Sequence, residues 1–325
     1  MHDRSSDREA LARDALSEVL QDLRIANGTY ARCGLAGTWG IDFAAQGQAR
    51  FHFVAAGHCW LRGPKRAWTE LYAGDVVLLP HGKGHALASK ARARRIPLEK
   101  MPIQPIGERT YQMQAGVRGS PTTLVCCSVD FEQPAAHPLL ELMPPMLLVR
   151  GGGAHDAALS PILEAMAAEV LARRVGAATV MTRLADVVIA RVVRAWAESR
   201  TEDTRGWLAA IRDPQIGRAI AAIHRKPGEP WTVESLADVA GASRSVFSER
   251  FSALMGVPPA RYLAQWRMHL ASSWLRNDRV TVAEAAMRLG YESEAAFSRA
   301  FKRFTGVPPS AMRREPAASL PRWLN

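Results

Sequence analysis

The last third of the chain contains one stretch of sequence twice, and this internal repeat constrains the fold more than any other feature. Residues 243–259 (SRSVFSERFSALMGVPP) are echoed 50 positions later by residues 293–309 (SEAAFSRAFKRFTGVPP). Upstream, residues 232–241 are echoed 49 positions later by residues 281–290. Because solenoid proteins need more than two units, we interpret the duplication as one motif used twice.

Each copy is predicted to fold as a helix, a tight turn and a second helix. Thr232 and Thr281 have the character of helix N-caps, and Gly241 and Gly290 end the helices that follow. Small residues such as Ala237, where two helices cross at a short turn, suit a helix-turn-helix. Such helix pairs also serve as plain scaffolds, but two copies beside a basic surplus favour DNA binding.

Positive charge is concentrated on the repeat. The chain has 42 Lys and Arg against 31 Asp and Glu, a formal charge of +11. From Arg212 to the C-terminus there are 17 Lys and Arg against 10 Asp and Glu, so +7 of that surplus lies on 114 residues. An excess of this kind favours a polyanionic partner, either a nucleic acid or an anionic membrane surface.

Composition excludes several other classes of protein. A chain of 325 residues with 48% hydrophobic content can bury the cores of about two domains. It begins without an apolar signal segment, its apolar runs are too short to span a bilayer, and four cysteines are too few for a disulfide scaffold. We therefore expect a cytoplasmic protein with no membrane segment.

The chain before the repeat divides into a β-rich part and a helical part. Short β-branched and aromatic segments between residues 30 and 131 predict an antiparallel β-domain, and the basic, Gly- and Pro-rich residues 88–120 predict a long loop within it. Between residues 160 and 198, two helices carry long apolar stripes. These stripes predict a homodimer interface, with packing of the helices onto the β-domain as the alternative.

Two resemblances organise these observations. LADVAGASRSVFSERFSALMGVPPARYL and AAMRLGYESEAAFSRAFKRFTGVPPSAM resemble the DNA-binding domain of the AraC/XylS family. ARFHFVAAGHCWLRG, AGDVVLLPHGKGHAL and TTLVCCSVDF resemble the cupin effector domains joined to one branch of these regulators. The resemblances imply a multidomain α+β protein: an N-terminal cupin-like antiparallel β-barrel (1–150), a helical linker and dimerisation segment (151–212) and an all-α double helix-turn-helix (213–325).

The AraC/XylS resemblance also implies which side chains meet DNA. Helical spacing turns the phenylalanines at 247, 251, 297, 301 and 304 inwards. The outward positions that it implies as DNA contacts are Arg244, Ser245, Ser248, Glu249, Glu294, Ala295, Ser298, Arg299 and Lys302. Arginine can pair bidentately with guanine, so Arg299 is the strongest candidate. About half of these positions are expected to be merely solvated, because few side chains of a recognition helix reach bases.

A single helix from Pro259 to about Asn277 is predicted to join the two motifs. At 1.5 Å per residue it spans roughly 28 Å, which suits recognition helices in successive major-groove segments about 34 Å apart. One chain is therefore expected to cover an asymmetric DNA site with two unlike halves.

The cupin-like part is predicted to hold a small ligand or a transition metal. The second cupin motif fits residues 74–85, whereas Phe51-His52-Phe53 supplies only one histidine of the usual His-x-His. We predict zinc or another borderline-soft ion on His52, His81, His85 and Cys126, with an oxidation-sensitive thiolate. The missing histidine leaves a purely organic effector pocket as the alternative.

Together these features predict a sequence-specific transcriptional regulator without catalytic residues. Its cupin domain would sense a small molecule, a metal or a redox signal and control binding to double-stranded promoter DNA, with RNA polymerase as a further partner if it is an activator. Two alternatives remain: a cupin-type metal-dependent enzyme with a helical appendage, and a non-specific DNA-binding protein.

Overall fold

The structure, a computed structural model, divides into two compact units, which are described separately. One unit comprises residues 23–132 and 138–199, and the other residues 200–325 with two short pieces, 1–22 and 133–137. The residues described are 16–17, 20, 23–64, 67–116, 121–132, 140, 143–151, 159–199, 206–277 and 280–314.

The first unit, called the sensor unit below after the role that the sequence predicts for it, contains two β-sheets. Its strands are β1 (Ile25–Leu35), β2 (Gly40–Phe43), β3 (Ala49–Ala56), β4 (His58–Arg62), β5 (Trp68–Tyr72), β6 (Val76–Leu79), β7 (His85–Ala88), β8 (Ile96–Pro97), β9 (Ile103–Gly107), β10 (Thr110–Ala115), β11 (Thr122–Phe131) and β12 (Leu147–Val149). Seven strands form one sheet in the order β12-β6-β3-β11-β1-β10-β9, and five form the other in the order β5-β4-β7-β2-β8. Alternate residues of both sheets, among them Leu35, Val54 and Leu87, form a shared apolar core.

This unit is cupin-like, but two details differ from the predicted antiparallel barrel. Strands β1 and β10 pair in parallel, as do β2 and β8, so the two sheets are mixed and do not close into a barrel. Residues 88–120 were expected to form a loop, yet they contribute β8, β9 and β10. A parallel pair needs a long crossover connection, and its strands lie too far apart in sequence for local patterns to reveal the pairing.

Among the described residues of the sensor unit, two α-helices pack with the sheets, and a single 3-10 turn (Leu98–Lys100) follows β8. The α-helices are α1 (Leu159–Ala172) and α2 (Ala177–Ser199), and α2 packs on β1. The Tyr30 hydroxyl donates to Thr182 Oγ1 at 2.9 Å, and the backbone N–H of Ile25 donates to Asp186 Oδ1 at 2.8 Å. The buried apolar stripe of α2 therefore packs onto the β-sheet of its own unit. This packing is the arrangement predicted from the sequence as the alternative to a dimer interface.

The second unit is helical in its described part and is called the DNA-binding unit below, after the role that the sequence predicts for it. Its helices are α3 (Trp207–Arg212), α4 (Ile216–Arg225), α5 (Val233–Ala240), α6 (Arg244–Met255), α7 (Pro259–Asn277), α8 (Val282–Arg288) and α9 (Glu294–Thr305), followed by a 3-10 turn (Pro309–Arg314). Helices α5 and α6 form the first helix-turn-helix, α8 and α9 the second, and α7 connects them as predicted. Within the described part of the chain, no helix has the length and apolarity needed to cross a membrane.

Candidate nucleic-acid interface and sensor site

The turn of the first helix-turn-helix is fixed by hydrogen bonds at both ends of α5. The Thr232 hydroxyl accepts from the N–H of Ser235 at 3.0 Å, and the Ser235 hydroxyl accepts from the N–H of Thr232 at 2.9 Å. This reciprocal pair is a capping box. Gly241 then ends the helix in the left-handed conformation, with φ of 68°. The helix start and stop expected from the sequence are confirmed.

The second copy reaches the same geometry by slightly different contacts. Thr281 accepts from the N–H of Glu284 at 3.1 Å, but the Glu284 carboxylate binds Arg288 at 2.6 Å instead of closing a capping box. Gly290 has φ of 72°, and a Cβ placed on it would lie 2.1 Å from the carbonyl oxygen of Gly228. Only glycine fits this turn without displacing backbone.

Each recognition helix is anchored by two phenylalanines. Phe247 and Phe251 are fully buried with ring centroids 5.6 Å apart, and Phe297 and Phe301 repeat this arrangement at 5.6 Å. Phe304 was also expected to face inwards, but it lies in the last turn of α9 and is half exposed. The anchoring thus ends one turn before the helix does.

The outward faces of α6 and α9 carry the positions expected to meet DNA. All nine of these side chains are exposed or partly exposed. The nine residues are Arg244, Ser245, Ser248, Glu249, Glu294, Ala295, Ser298, Arg299 and Lys302. The side chains of Arg299 and Lys302 form no hydrogen bond or ion pair with any described residue. Their charges are available to a polyanion, although which positions contact DNA stays a prediction.

Two basic residues near these faces have different roles from their neighbours. Arg250 on α6 is exposed, but its guanidinium Nε donates to Asp213 Oδ2 at 2.8 Å, so that interaction ties α6 to the start of α4. Arg303 on α9 is exposed beside Lys302 and was not singled out from the sequence. Its adjacency to Lys302, one helical turn after Arg299, is the signal that could have identified it.

The candidate site of the sensor unit is a buried pair of histidines. His52 on β3 and His85 on β7 face each other with their Nε2 atoms 2.8 Å apart, and the Phe43 ring stacks on His85 at 4.6 Å. The Nδ1 of His85 lies 3.0 Å from the carbonyl oxygen of Lys83. That nitrogen must donate, so His85 Nε2 is unprotonated and accepts a hydrogen bond from His52 Nε2.

Burial keeps both imidazoles neutral. Loss of solvation lowers the pKa of His52 well below 6.5, and the nearby His85 and Arg50 lower it further. Loss of solvation lowers the pKa of His85 to about 4, although the Lys83 carbonyl opposes this shift. Neutral imidazoles can accept or donate hydrogen bonds to a ligand, or bind a metal.

The other two predicted metal ligands are not brought to this pair. His81 Nε2 lies 3.0 Å from the carbonyl oxygen of Met143, and Cys126 Sγ faces Cys33 Sγ at 3.9 Å although its residue is paired with His52 across the sheet. Among the described residues, no three His, Cys, Asp or Glu side chains are grouped to hold a metal ion. The transition metal remains a prediction.

Comparison with known proteins agrees with both units. Residues 14–198 match the Cupin family, and residues 236–315 match the Helix-turn-helix domain family. A putative AraC-like transcription regulator of Streptomyces lividans is 31% identical over 309 residues, 93% of this chain and 99% of that protein. Another, from Streptomyces antibioticus, is 32% identical over 305 residues, with the same coverage.

One solved structure is similar to a part of this chain. It is the DNA-binding domain of AdpA, a global transcriptional factor, in complex with a target DNA, with 34% identity over 29% of this chain and 86% of that chain, and a TM-score of 0.28. The duplicated helix-turn-helix and the mixed-sheet sensor unit define a cupin-type, DNA-binding transcriptional regulator. The chain belongs to the AraC-like family of such regulators.

Proposed function

We propose that this regulator reads two unlike half-sites in promoter DNA, one with α6 and the other with α9. The observation that carries the proposal is the contrast between two equally anchored recognition helices with different outward faces. Among the outward positions expected to meet DNA, α6 presents one basic side chain, Arg244 at its first residue, beside the weak base readers Ser245 and Ser248. Helix α9 presents two unpaired basic side chains, Arg299 and Lys302. Arginine is the commonest specific reader of guanine, so the half-site under α9 is expected to supply most of the sequence choice.

The connecting helix supports a two-site reading. Helix α7 has 19 residues, and at 1.5 Å per residue it is roughly 28 Å long. With a motif at each end, that length suits two major-groove segments about 34 Å apart. The expected operator is asymmetric within one chain and does not require a second subunit for its two halves.

The sensor unit is proposed to bind a small effector that changes promoter binding, with no reaction catalysed. The neutral pair His52 and His85 in the sheet interior supports a binding role, and the relatives matched are named as transcription regulators. As a regulator of transcription, the protein would act in the cytoplasm beside the chromosome. RNA polymerase is its further partner if the regulator is an activator.

A homodimer is proposed through the outer face of α1 and α2. Their inner stripes are used within the sensor unit, yet Leu171, Val180 and Val187 remain between 44% and 47% exposed. Exposed apolar residues on one helical layer favour a partner surface. Sedimentation of the full chain should give a dimer at micromolar concentration and a monomer for Val187→Asp; a monomeric wild type would contradict the proposal.

A transition metal on His52 and His85 is also proposed, with any further ligand unassigned. Their Nε2 separation of 2.8 Å would have to widen, since two nitrogens on tetrahedral zinc lie about 3.3 Å apart. Elemental analysis of protein purified without a polyhistidine tag, as wild type and as His85→Ala, measures the metal. Less than about a tenth of an equivalent in the wild type would leave the organic effector as the explanation.

The function is tested by comparing promoter DNA with random DNA. Genome-wide mapping of bound sites supplies the promoter fragment, and fluorescence anisotropy at one fixed salt concentration gives both affinities. We expect the promoter to bind roughly 10³-fold or more tightly than random DNA. Equal affinities would identify a non-specific DNA-binding protein, and metal-dependent turnover of a small molecule would identify the enzyme alternative.

A further inference from the structure

An arginine lies in the interior of the sensor unit without a carboxylate partner. Arg50 on β3 is only 5% exposed, and its side chain is on the same face of the strand as His52. Its guanidinium NH2 donates to the amide oxygen of Gln46 at 2.6 Å, and it forms no ion pair with any described residue. Arginine is almost never this buried unless its charge is paired.

Two buried polar atoms on residues two positions apart in β3 also lack hydrogen-bond partners. Arg50 Nε and His52 Nδ1 are both buried, and neither forms a hydrogen bond with any described residue. Arg50 Nε–H is a donor, and because His52 donates through Nε2, its Nδ1 is a bare acceptor. A buried donor and a buried acceptor without hydrogen-bond partners each destabilise the fold. A bound polar ligand that paired with them would offset this cost.

A cavity lies next to Arg50 and the histidine pair, on the other side of Phe43. It has a volume of about 320 Å³ and is lined by Asp42, Phe43, Arg62, Gly63, Pro64, Gly84 and His85. The Phe43 ring lines the cavity, stacks on His85 and also lies 5.3 Å from the Arg50 guanidinium carbon. Phe43 is therefore the side chain shared by the cavity and the buried arginine.

The charges around the cavity also favour an anion. Asp42 pairs with both Arg62 at 3.4 Å and Arg95 at 3.0 Å, so two cations share one carboxylate. His85 is neutral, and Arg50 adds a second positive charge behind Phe43. Glu99 stabilises this charge electrostatically without forming an ion pair with it. The cavity is also larger than an inorganic ion needs, which favours an anion with an organic body.

We propose that the sensor unit binds a compact organic carboxylate, whose acid group pairs with Arg50 when the Phe43 side chain turns aside and whose body fills the adjoining cavity. The planar guanidinium can hold a carboxylate through two parallel hydrogen bonds, one of them from the unpaired Nε. His52 Nδ1 accepts from a hydroxyl or amide of the same ligand. This assignment rests on the proposed function, since it names the chemical class of the effector.

The test is the thermal stability of the full chain with defined probes. Sodium acetate, benzoate and salicylate are each compared with benzamide, which is uncharged, and with sodium sulfate at equal ionic strength. At least one carboxylate is expected to raise Tm by about 2–4 °C at saturating concentration, while benzamide leaves it unchanged. A rise with sulfate alone would overturn the organic-anion assignment, as would no rise with any carboxylate.

Substitutions of Arg50 test whether the rise in Tm depends on this side chain. Arg50→Met should abolish the rise yet keep or increase Tm without ligand, because an apolar side chain in place of an unpaired buried charge removes a desolvation cost. Arg50→Lys, which keeps the charge but loses the fork, should reduce the rise if Arg50→Met does not fold. The exposed Arg92→Met is the matched control and should respond as the wild type does.

Two outcomes separate this inference from the proposed function. If Arg50→Met responds to a carboxylate as strongly as the wild type, the site is wrong. If the wild type binds promoter DNA specifically but no carboxylate raises Tm, the carboxylate inference fails and the regulator remains. Loss of the distinction between promoter and random DNA would instead overturn the proposed function, whatever the thermal shifts are.

Discussion

The two units of this regulator bury different kinds of residue. The DNA-binding unit places fully buried aromatic rings, such as Phe251 and Phe301, behind each recognition helix, and it carries the charged side chains of Arg299 and Lys302 on its surface. The sensor unit buries Arg50, His52 and His85 between its sheets. Buried polar groups destabilise a hydrophobic core, so we expect the sensor unit to use those that it keeps there for binding a ligand. The DNA-binding unit is expected to bind through side chains on its surface.

The largest expected effect concerns the apolar anchors. Phe251→Ala leaves a cavity behind α6 and should destabilise the DNA-binding unit by about 3–5 kcal/mol. Phe304→Ala, on a half-exposed side chain, is the control and should cost less than about 1 kcal/mol. Urea denaturation of the full chain measures both. Similar losses for the two variants would show that the repeat does not rely on its buried rings.

Acid should weaken the sensor unit through its buried histidines. In the unfolded chain the two imidazoles have the ordinary histidine pKa of 6.5, whereas in the fold the pKa of His85 is about 4 and that of His52 is also lowered. Stability is therefore complete above pH 6.5 and is lost as pH falls from 6.5 towards 4, because the unfolded chain takes up protons that the fold excludes.

The expected loss from His85 is about 1.4 kcal/mol for each pH unit within that window, and up to about 3 kcal/mol in total. Denaturation of the full chain at several pH values measures it. His85→Gln, which cannot take up a proton, should flatten this dependence and serves as the control. A variant as sensitive to acid as the wild type would show that His85 is not the source of the sensitivity.

The two turns of the repeat should differ in their tolerance of alanine. Both Gly241 and Gly290 have positive φ, but a Cβ on Gly241 meets only the Arg218 side chain at 3.3 Å, whereas a Cβ on Gly290 meets backbone. Gly241→Ala should cost about 1 kcal/mol for its left-handed conformation, and Gly290→Ala about 2 kcal/mol more. Thermal unfolding of the paired variants checks this order, and the reverse order would refute it.

The smallest effect concerns sequence choice on DNA. Arg299→Ala should weaken discrimination by about 1–3 kcal/mol in the half-site under α9 and leave the other half unchanged. Anisotropy with operators mutated in one half at a time measures both. Arg261→Ala, an exposed arginine on α7, is the control for general loss of charge. Equal losses in both halves would contradict the two-site reading.

How much of this could be predicted from the sequence depends on how local the signal is. The repeat is built from contacts between near neighbours, so Thr232, Gly241 and the paired phenylalanines already marked its helices and turns. The exposure of Phe304 was missed because helical periodicity does not show where a packing neighbour ends. The family resemblance was confirmed for both units.

The sensor unit was predicted less completely because its contacts join distant residues. Strand alternation and the cupin resemblance together brought His52 and His85 into one interior, as found. They could not show that His81 turns to Met143 or that Cys126 faces Cys33, because those contacts depend on the register of several strands. Arg50 shares a strand face with His52, and that two-residue spacing was the available signal.

The position of β1 in its sheet affects how the protein is made. This strand lies between β10 and β11, so its two neighbours leave the ribosome roughly 80–100 residues later. Until then its backbone donors and acceptors stay unpaired and its apolar side chains remain exposed. The sensor unit is therefore expected to fold slowly, whereas each helix-turn-helix closes over short stretches of chain and folds quickly. During synthesis, a partly made chain in which β1 is not yet paired with β10 and β11 is therefore the species most exposed to aggregation and proteolysis.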